Sequence, residues 1–374
     1  MKILISPDKF KGSLSGQQVC EAIAKGIKRF DPAIETVLHP LADGGEGTLD
    51  ILSSSMDLKD ISVEVNDPLF RPVKAVYKMG GNKAYIEMAA ASGLPLLTQE
   101  ERDCLQTTTY GTGEMILDAI EKGAEHVYLF VGGSATNDAG IGMAAALGYQ
   151  FLDANGLELK PVGEEVVNLD RIERGDLKFN PDRVGFSVVC DVKNPLYGPE
   201  GAAYMYGAQK GADDQAIALL DKGLRQFAKV VEAGFGTDLS GLEGAGAAGG
   251  IGAGAAVFLN AKIEPGIQTI QEITSYKDKL KAVDLIITGE GKLDLQTVHG
   301  KVVHGVDQVS SSFQIPYAVM CGVAEDLSDV QQVLNAWKIV QIKTPEISLE
   351  SAINEAGMHV ERLAFELAKE FGKH

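Results

Sequence analysis

The sequence predicts an α/β protein of two domains, and three observations carry that reading. Short apolar runs repeatedly break into glycine-bearing turns and then into helical periodicity, the βα rhythm of a parallel sheet. That rhythm fills the first 60 residues and the last third of the chain, whereas residues 61–88 alternate apolar and polar as antiparallel strands do. The length, 374 residues, exceeds what a single core ordinarily serves. The expectation is a discontinuous domain of residues 1–66 plus 281–374, a doubly wound parallel sheet of Rossmann or flavodoxin type formed by both chain ends. Residues 67–280 would form an inserted mixed sheet with helices, and the active site would lie in the cleft between the two domains.

Taken in order, Lys2 to Ser6 is an apolar strand, and Ser15 with Gln18 makes a capping box for a helix whose face is Val19, Ala22, Ile23, Gly26, Ile27 and Phe30. Asp31-Pro32 stops that helix and Thr36 to His39 is the next strand. Leu41 to Thr48 then opens another helix, with Asp43 and Glu46 at capping-box spacing. Three alternating strands follow, the last two joined across Gly80-Gly81-Asn82, and Thr107 to Gly123 reads as a helix. His126 to Val131 is a buried strand that breaks into VGGSATNDAGIG (131–142) and enters a helix. Phe186 to Cys190 is a buried strand ending in Asp191, and Asp214 to Phe235 is helical. GAGAAGGIGAG (244–254) reads as a loop entering an Ala/Gly helix over 251–259. Val283 to Thr288 is a strand running into a glycine turn, Tyr317–Gly322 and Trp337–Ile342 are further strands, and Ser351 to Phe371 is a terminal helix.

Composition bounds the function. A formal net charge of -18 argues against nucleic acid or an anionic membrane as partner. No apolar run reaches membrane-spanning length. The cysteines at 20, 104, 190 and 321 form no CxxC pair and fit free thiols in a reducing cytoplasm.

The chemistry-bearing residues collect in five glycine turns, 7–12, 42–48, 131–142, 190–195 and 288–301, most of them after a strand. Free N–H groups and a helix dipole at a strand's carboxyl end suit an anion. Gly44, Gly45, Gly132, Gly133, Gly289 and Gly291 permit close backbone approach, and Ser134, Asn137, Asn194 and Thr297 add short polar side chains. Asn137 or Asp138 would otherwise simply cap the helix. Asp8, Asp43, Asp191 and Asp294 supply carboxylates for Mg2+ or for a hydroxyl proton, Glu290 is a substrate- or phosphate-binding candidate, and Lys9, Lys11, Lys292 and Lys301 supply cations for phosphate or carboxylate. Together these residues point to an enzyme of small anions, with phosphoryl transfer one option among lyase, isomerase and dehydrogenase. Several patterns are absent. No Walker A order and no Gly-x-Ser-x-Gly elbow occurs, and Lys193 replaces the second acid of an aspartyl-phosphate motif after Asp191. Gly244-x-Gly246-x-x-Gly249 matches the dinucleotide fingerprint but no strand precedes it. The histidines show no metal pairing, and only His299 stands beside a candidate site.

The segments SPDKFKGSLS, LADGGEGT, NDPLFRPV, IEMAAASGLPLL, TTTYGTGEMILDA, VGGSATNDAGIGM, CDVKNPLYGPEGAA, GAQKGA, GAGAAGGIGAG and ITGEGKLDLQT, in this order, resemble the bacterial type-1 glycerate kinases. The resemblance covers nearly the whole chain. Two departures stand out: Lys9 where the family usually has Ser, and Ala139 where it has a second Gly. The resemblance implies a two-domain α/β kinase that uses ATP and Mg2+ to phosphorylate D-glycerate, generally to 2-phosphoglycerate, in sugar-acid or glyoxylate breakdown. In that setting a glycerate hydroxyl attacks the γ-phosphate in line. Asp191 or Asp294 would be the base, and the other, with Asp43 or Asp8, would face the metal. Lys11 would neutralise carboxylate or phosphoryl charge, while Gly132, Gly133 and Ser134 would line the anion subsite. Monomer and homodimer both remain open, as do a non-catalytic sugar-acid binding protein and a kinase giving 3-phosphoglycerate.

Overall fold

The structure is a computed structural model describing the chain except residues 46, 182, 295, 296, 298–300, 326 and 374. The expectations placed on Glu46, His299 and His374 lie outside the described residues. In chain order the strands are β1 (Lys2–Ile5), β2 (Glu35–Leu38), β3 (Lys59–Asn66), β4 (Pro72–Gly80), β5 (Lys83–Glu87), β6 (His126–Phe130), β7 (Tyr149–Leu152), β8 (Arg171–Arg174), β9 (Gly185–Val189), β10 (Lys262–Glu264), β11 (Leu285–Leu293), β12 (Tyr317–Ala324) and β13 (Lys338–Gln341).

The chain divides into two compact units, one of Met1–Asp43, Asp50–Met56 and Pro265–His374, the other of Gly44–Leu49 and Asp57–Glu264. The sequence expectation set the junctions at 66 and 281. In the structure β3 goes with the inserted unit, because it pairs along its whole length with β4. The helices Gly266–Ile273 and Tyr276–Lys279 go with the terminal unit, where Ile267 fills the space at Gly305.

The terminal unit is built on a five-stranded parallel sheet in the order β13-β12-β11-β1-β2. Ile3, Leu4 and Ile5 of β1 are fully buried, as a strand covered on both faces must be. The helix Gly16–Phe30 opens with the expected capping box: Gln18 N–H donates to Ser15 Oγ, and Ser15 N–H donates back to Gln18 Oε1. Gly26 lets this helix press on Ala356–Phe371, since a Cβ there would stand 2.2 Å from the Glu361 carbonyl oxygen. The expected terminal helix is two helices, Leu349–Asn354 and Ala356–Phe371, broken at Glu355. The strand order runs outward from β1 in both directions, so the chain reverses between β1 and β11. That is the topological switch point at which open α/β sheets leave a crevice at their strand carboxyl ends.

The inserted unit carries a six-stranded mixed sheet, β10-β9-β6-β5-β4-β3. β3, β4 and β5 are antiparallel, while β5, β6, β9 and β10 are parallel. The region after the 153–156 turn, polar and poorly patterned in sequence as far as Arg183, contributes β8, which pairs with β7. The helix expected from Thr107 begins at Tyr110, with Thr107, Thr108 and Thr109 buried ahead of it. Among the described residues no helix is long and apolar enough to cross a membrane.

One element departs clearly from expectation. Residues 289–293 are not a turn: β11 runs on through Leu293, in register with β12 to Ala324. The glycines serve close packing inside the sheet. A Cβ on Gly289 would lie 1.9 Å from the Met320 carbonyl oxygen, and one on Gly322 would lie 2.6 Å from that of Gly291.

Candidate active site

In the terminal unit, acidic side chains gather at the β1/β11 switch. Asp8 follows β1, its N–H donating to the Gly289 carbonyl (2.8 Å), so the loop continues the sheet beside β11. Gly291 admits that loop, a Cβ there standing 3.1 Å from the Lys11 amide nitrogen. Asp43 arrives from the loop after β2, and Glu290 stands within β11. Burial first, then the charges of Asp43 and Glu290, push Asp8 up to about 7. Glu290 is pushed up to about 7 chiefly by burial, with Asp294 and Asp43 adding to it and Thr297 and Lys301 opposing. Lys301 Nζ lies 3.8 Å from Glu290 Oε2, while Glu290 Oε1 is buried without a hydrogen-bond partner.

The remaining candidates of this unit are also placed. Lys11 is exposed. Lys292 is half-exposed and bridges Asp294 (3.5 Å) and Glu325 (2.8 Å), an ion-pair network at the surface. Thr297 is buried, its Oγ1 accepting from the Asp294 N–H (3.2 Å). Among the described residues no three His, Cys, Asp or Glu side chains already stand at metal-ligating geometry. The donors are nevertheless hard carboxylate oxygens, one of them orphaned. That suits Mg2+, which keeps several waters and takes only one or two carboxylates alongside substrate phosphates.

In the inserted unit, β5, β6 and β9 end level, with Glu87 opposite Phe130 and Phe130 opposite Val189. Two of the predicted turns therefore leave adjacent parallel strands at one edge: 131–142 after β6, and the loop bearing Asp191 after β9. Gly133 is exposed at φ 73°, and Ser134 is buried. Asp138 acts as a buried staple. It accepts from Thr109 N–H and Oγ1 (2.8 Å each), Gly140 N–H (3.1 Å) and Gly142 N–H (3.2 Å), while the N-cap of the helix Ile141–Ala146 is Gly140, without a side-chain cap. Asn137 is buried with neither end of its amide hydrogen-bonded. Asn194 is engaged internally: its Nδ2 donates to the Glu200 carbonyl (2.8 Å) and its Oδ1 accepts from Tyr206 Oη (2.6 Å). Gly44 turns at φ 85°, and the Gly45 carbonyl accepts from Thr48 Oγ1 (2.6 Å) at the start of the helix Thr48–Ser55.

The glycine-dense 244–254 stretch buttresses the 131–142 turn. Ala248, Gly249 and Gly250 are successively left-handed, and a Cβ on Gly249 would stand 2.0 Å from the Thr136 carbonyl oxygen. Ala139 N–H donates to the Gly249 carbonyl (3.0 Å).

The sequence model of the glycerate kinase family matches residues 3–371. The chain belongs to the glycerate kinase family. A glycerate kinase of Bacillus subtilis is 41% identical over 372 residues, covering 98% of this chain and 97% of its own. A glycerate 2-kinase of Escherichia coli K12 is 41% identical over 331 residues, 88% of this chain and 86% of its own. A crystal structure assigned to glycerate kinase 2 of Salmonella typhimurium LT2 superposes with a TM-score of 0.88 at 37% identity, covering 100% of this chain and 98% of that one.

Within the frame of a glycerate kinase, Ala139 becomes informative. It stands where the resemblance expects glycine, and it holds a left-handed φ of 54°. Two residues escaped selection from sequence. Glu87 ends β5 at the same edge as the 131–142 turn and accepts from the Leu49 N–H (3.1 Å). Lys210, present in the sequence reading only within the segment GAQKGA, is buried beneath the 131–142 turn. Neither has a local signature; each becomes visible only once strand ends or packing are known.

Proposed function

We propose that the chain transfers the γ-phosphate of ATP to the 2-hydroxyl of D-glycerate, forming 2-phosphoglycerate in sugar-acid or glyoxylate breakdown. The family match across residues 3–371 carries the activity, and the 41% identity to a glycerate 2-kinase favours the 2-hydroxyl.

The chemistry asks for in-line placement and charge neutralisation. Asp8, Asp43, Glu290 and Asp294 are the side chains that would hold Mg2+ with the nucleotide, which when bound supplies neutralisation of phosphate oxygens. Glu290 and Asp8, pushed up to about 7, are held near their charging point first by burial and then by neighbouring carboxylates, Asp43 acting on both. Lys11, exposed in the same loop as Asp8, supplies a cation for carboxylate or phosphoryl charge. Asp191, just beyond β9, is the base that orients and takes the proton of the attacking hydroxyl. The N–H groups of Gly132 and Gly133, with Ser134, bind a substrate oxyanion.

The test is turnover of D-glycerate, ATP and Mg2+ read by 31P NMR against authentic 2- and 3-phosphoglycerate. Growth of the 2-phosphoglycerate resonance is expected. A 3-phosphoglycerate signal would move the attacked hydroxyl by one carbon. Untouched ATP with glycerate still raising the melting temperature would overturn the kinase reading in favour of a non-catalytic binding protein.

A further inference from the structure

Lys210 closes the short segment Ala208–Lys210 and is only 2% exposed. Its Nζ donates to Ser134 Oγ (2.8 Å) and to the Thr136 carbonyl (2.7 Å). Among the described residues no carboxylate stands within ion-pair distance of it. The charged or titratable groups that face it are the Cys104 thiol and Asp138, and Asp138 is already occupied by Thr109, Gly140 and Gly142. An ammonium buried without a counter-ion is unfavourable, and a methionine of similar length would pack without that penalty. The charge therefore has work beyond packing.

That work follows from donor and acceptor roles. An ammonium has three donors and no lone pair. Ser134 Oγ therefore accepts from Lys210, and its own proton must go elsewhere. Among the described residues the Ser134 hydroxyl makes no hydrogen bond as a donor; its one bond is the one it accepts from Lys210. Three positions on, the Asn137 amide is buried with both ends unmatched. Leaving such groups unpaired is unfavourable unless a ligand or water takes them. Gly133, exposed beside Ser134, leaves the turn open to an approaching group.

We propose that Lys210 is a positioning residue of the phosphoryl-transfer reaction, fixing the Ser134 hydroxyl as a hydrogen-bond donor to a substrate oxyanion at the 131–142 turn. This rests on the reading of that turn as the anion subsite. The oxyanion is either the glycerate carboxylate or a phosphate oxygen of ATP. Burial lowers Lys210 to about 8. Above that pH the neutral amine gains a lone pair and can receive the Ser134 proton, reversing the bond and withdrawing the donor.

The experiment is steady-state kinetics of the full chain and of S134A, K210M and S134A/K210M from pH 6.5 to 9.5, with melting temperatures in parallel. S134A and K210M are each expected to raise one substrate's KM about tenfold or more. The double variant should be no worse than either single, because Lys210 acts through Ser134. A rise in the KM of glycerate assigns the carboxylate, and a rise in that of ATP assigns the phosphate. Wild-type KM should climb above about pH 8, while the S134A profile stays flat.

Unchanged KM values in S134A would overturn the anion-subsite reading and Lys210's role with it. A raised KM in S134A alone, or effects that multiply in the double variant, would overturn the Lys210 proposal and leave the subsite standing. Should K210M fail to fold, the wild-type and S134A pH profiles decide, and identical profiles overturn the proposal. Absence of any transfer by the wild type would instead overturn the activity, a result distinct from all of these.

Discussion

At the residue scale the terminal unit's acidic cluster dominates. Asp8 and Glu290 are pushed up to about 7, above the ordinary carboxylate range. Between the ordinary values and 7 the folded chain therefore holds protons that the unfolded chain has released. The cluster's favourable contribution is present at low pH and is lost as pH rises through about 7. Asp43→Asn removes a charge that repels both groups, and it should raise the melting temperature at pH 7.5 by about 1–3 °C, equivalent to about 1 kcal/mol. At pH 5, where Asp8 and Glu290 are protonated, the gain should vanish. Differential scanning fluorimetry at the two pH values checks this, and an equal gain at both would contradict it. On the catalytic side, Asp191→Asn should lower kcat by about 10²-fold or more with a small change in KM, as loss of a general base does. Near wild-type turnover would remove Asp191 from that role.

At the element scale, glycines whose sequence looks alike have opposite structural tasks. Gly249 is left-handed and pressed against the Thr136 carbonyl, so Gly249→Ala adds both backbone strain and a clash. It should destabilise the chain by on the order of 3 kcal/mol or more and displace the 131–142 turn. Gly234, inside the helix Asp214–Phe235, faces open space at an ordinary φ. Gly234→Ala should stabilise by about 0.5–1 kcal/mol by restricting the unfolded chain. Urea midpoints of the two variants test the pair, and similar shifts would contradict the opposite tasks assigned to Gly249 and Gly234. β11 teaches the same lesson. Gly289-Glu290-Gly291 reads as a turn because glycine usually interrupts strands. Here the β12 backbone approaches Gly289 so closely that only glycine fits, and a Cβ on Gly291 would press tightly on the 7–12 loop.

At the scale of the whole molecule, a chain of net charge -18 turns several carboxylates toward one edge of its terminal sheet. A divalent cation acting there should stabilise the ionised cluster. Millimolar Mg2+ is expected to raise the melting temperature at pH 7.5 more than K+ at equal ionic strength, and to do little at pH 5. Equal effects of the two salts would reduce the cluster to ordinary surface charge.

The α/β class, the parallel terminal sheet drawn from both chain ends, the mixed inserted sheet and the family are all legible in the amino-acid order alone. These rest on short-range periodicity, capping chemistry and ordered motifs such as VGGSATNDAGIGM, all written into consecutive residues. That order also supplied the glycine turns, Asp8, Asp43, Asp191 and Glu290 as candidates. It did not separate Asp138, a buried staple, from its neighbours, nor Asn194, engaged at both ends of its amide, from a ligand contact. That Glu290 lies within a strand, that 244–254 buttresses the 131–142 turn, and that Lys210 is buried beneath it emerge from the folded chain. Each depends on contacts between segments far apart in the chain. Ser134 and Lys210 are 76 residues apart, and no local pattern encodes which lysine will lose its water.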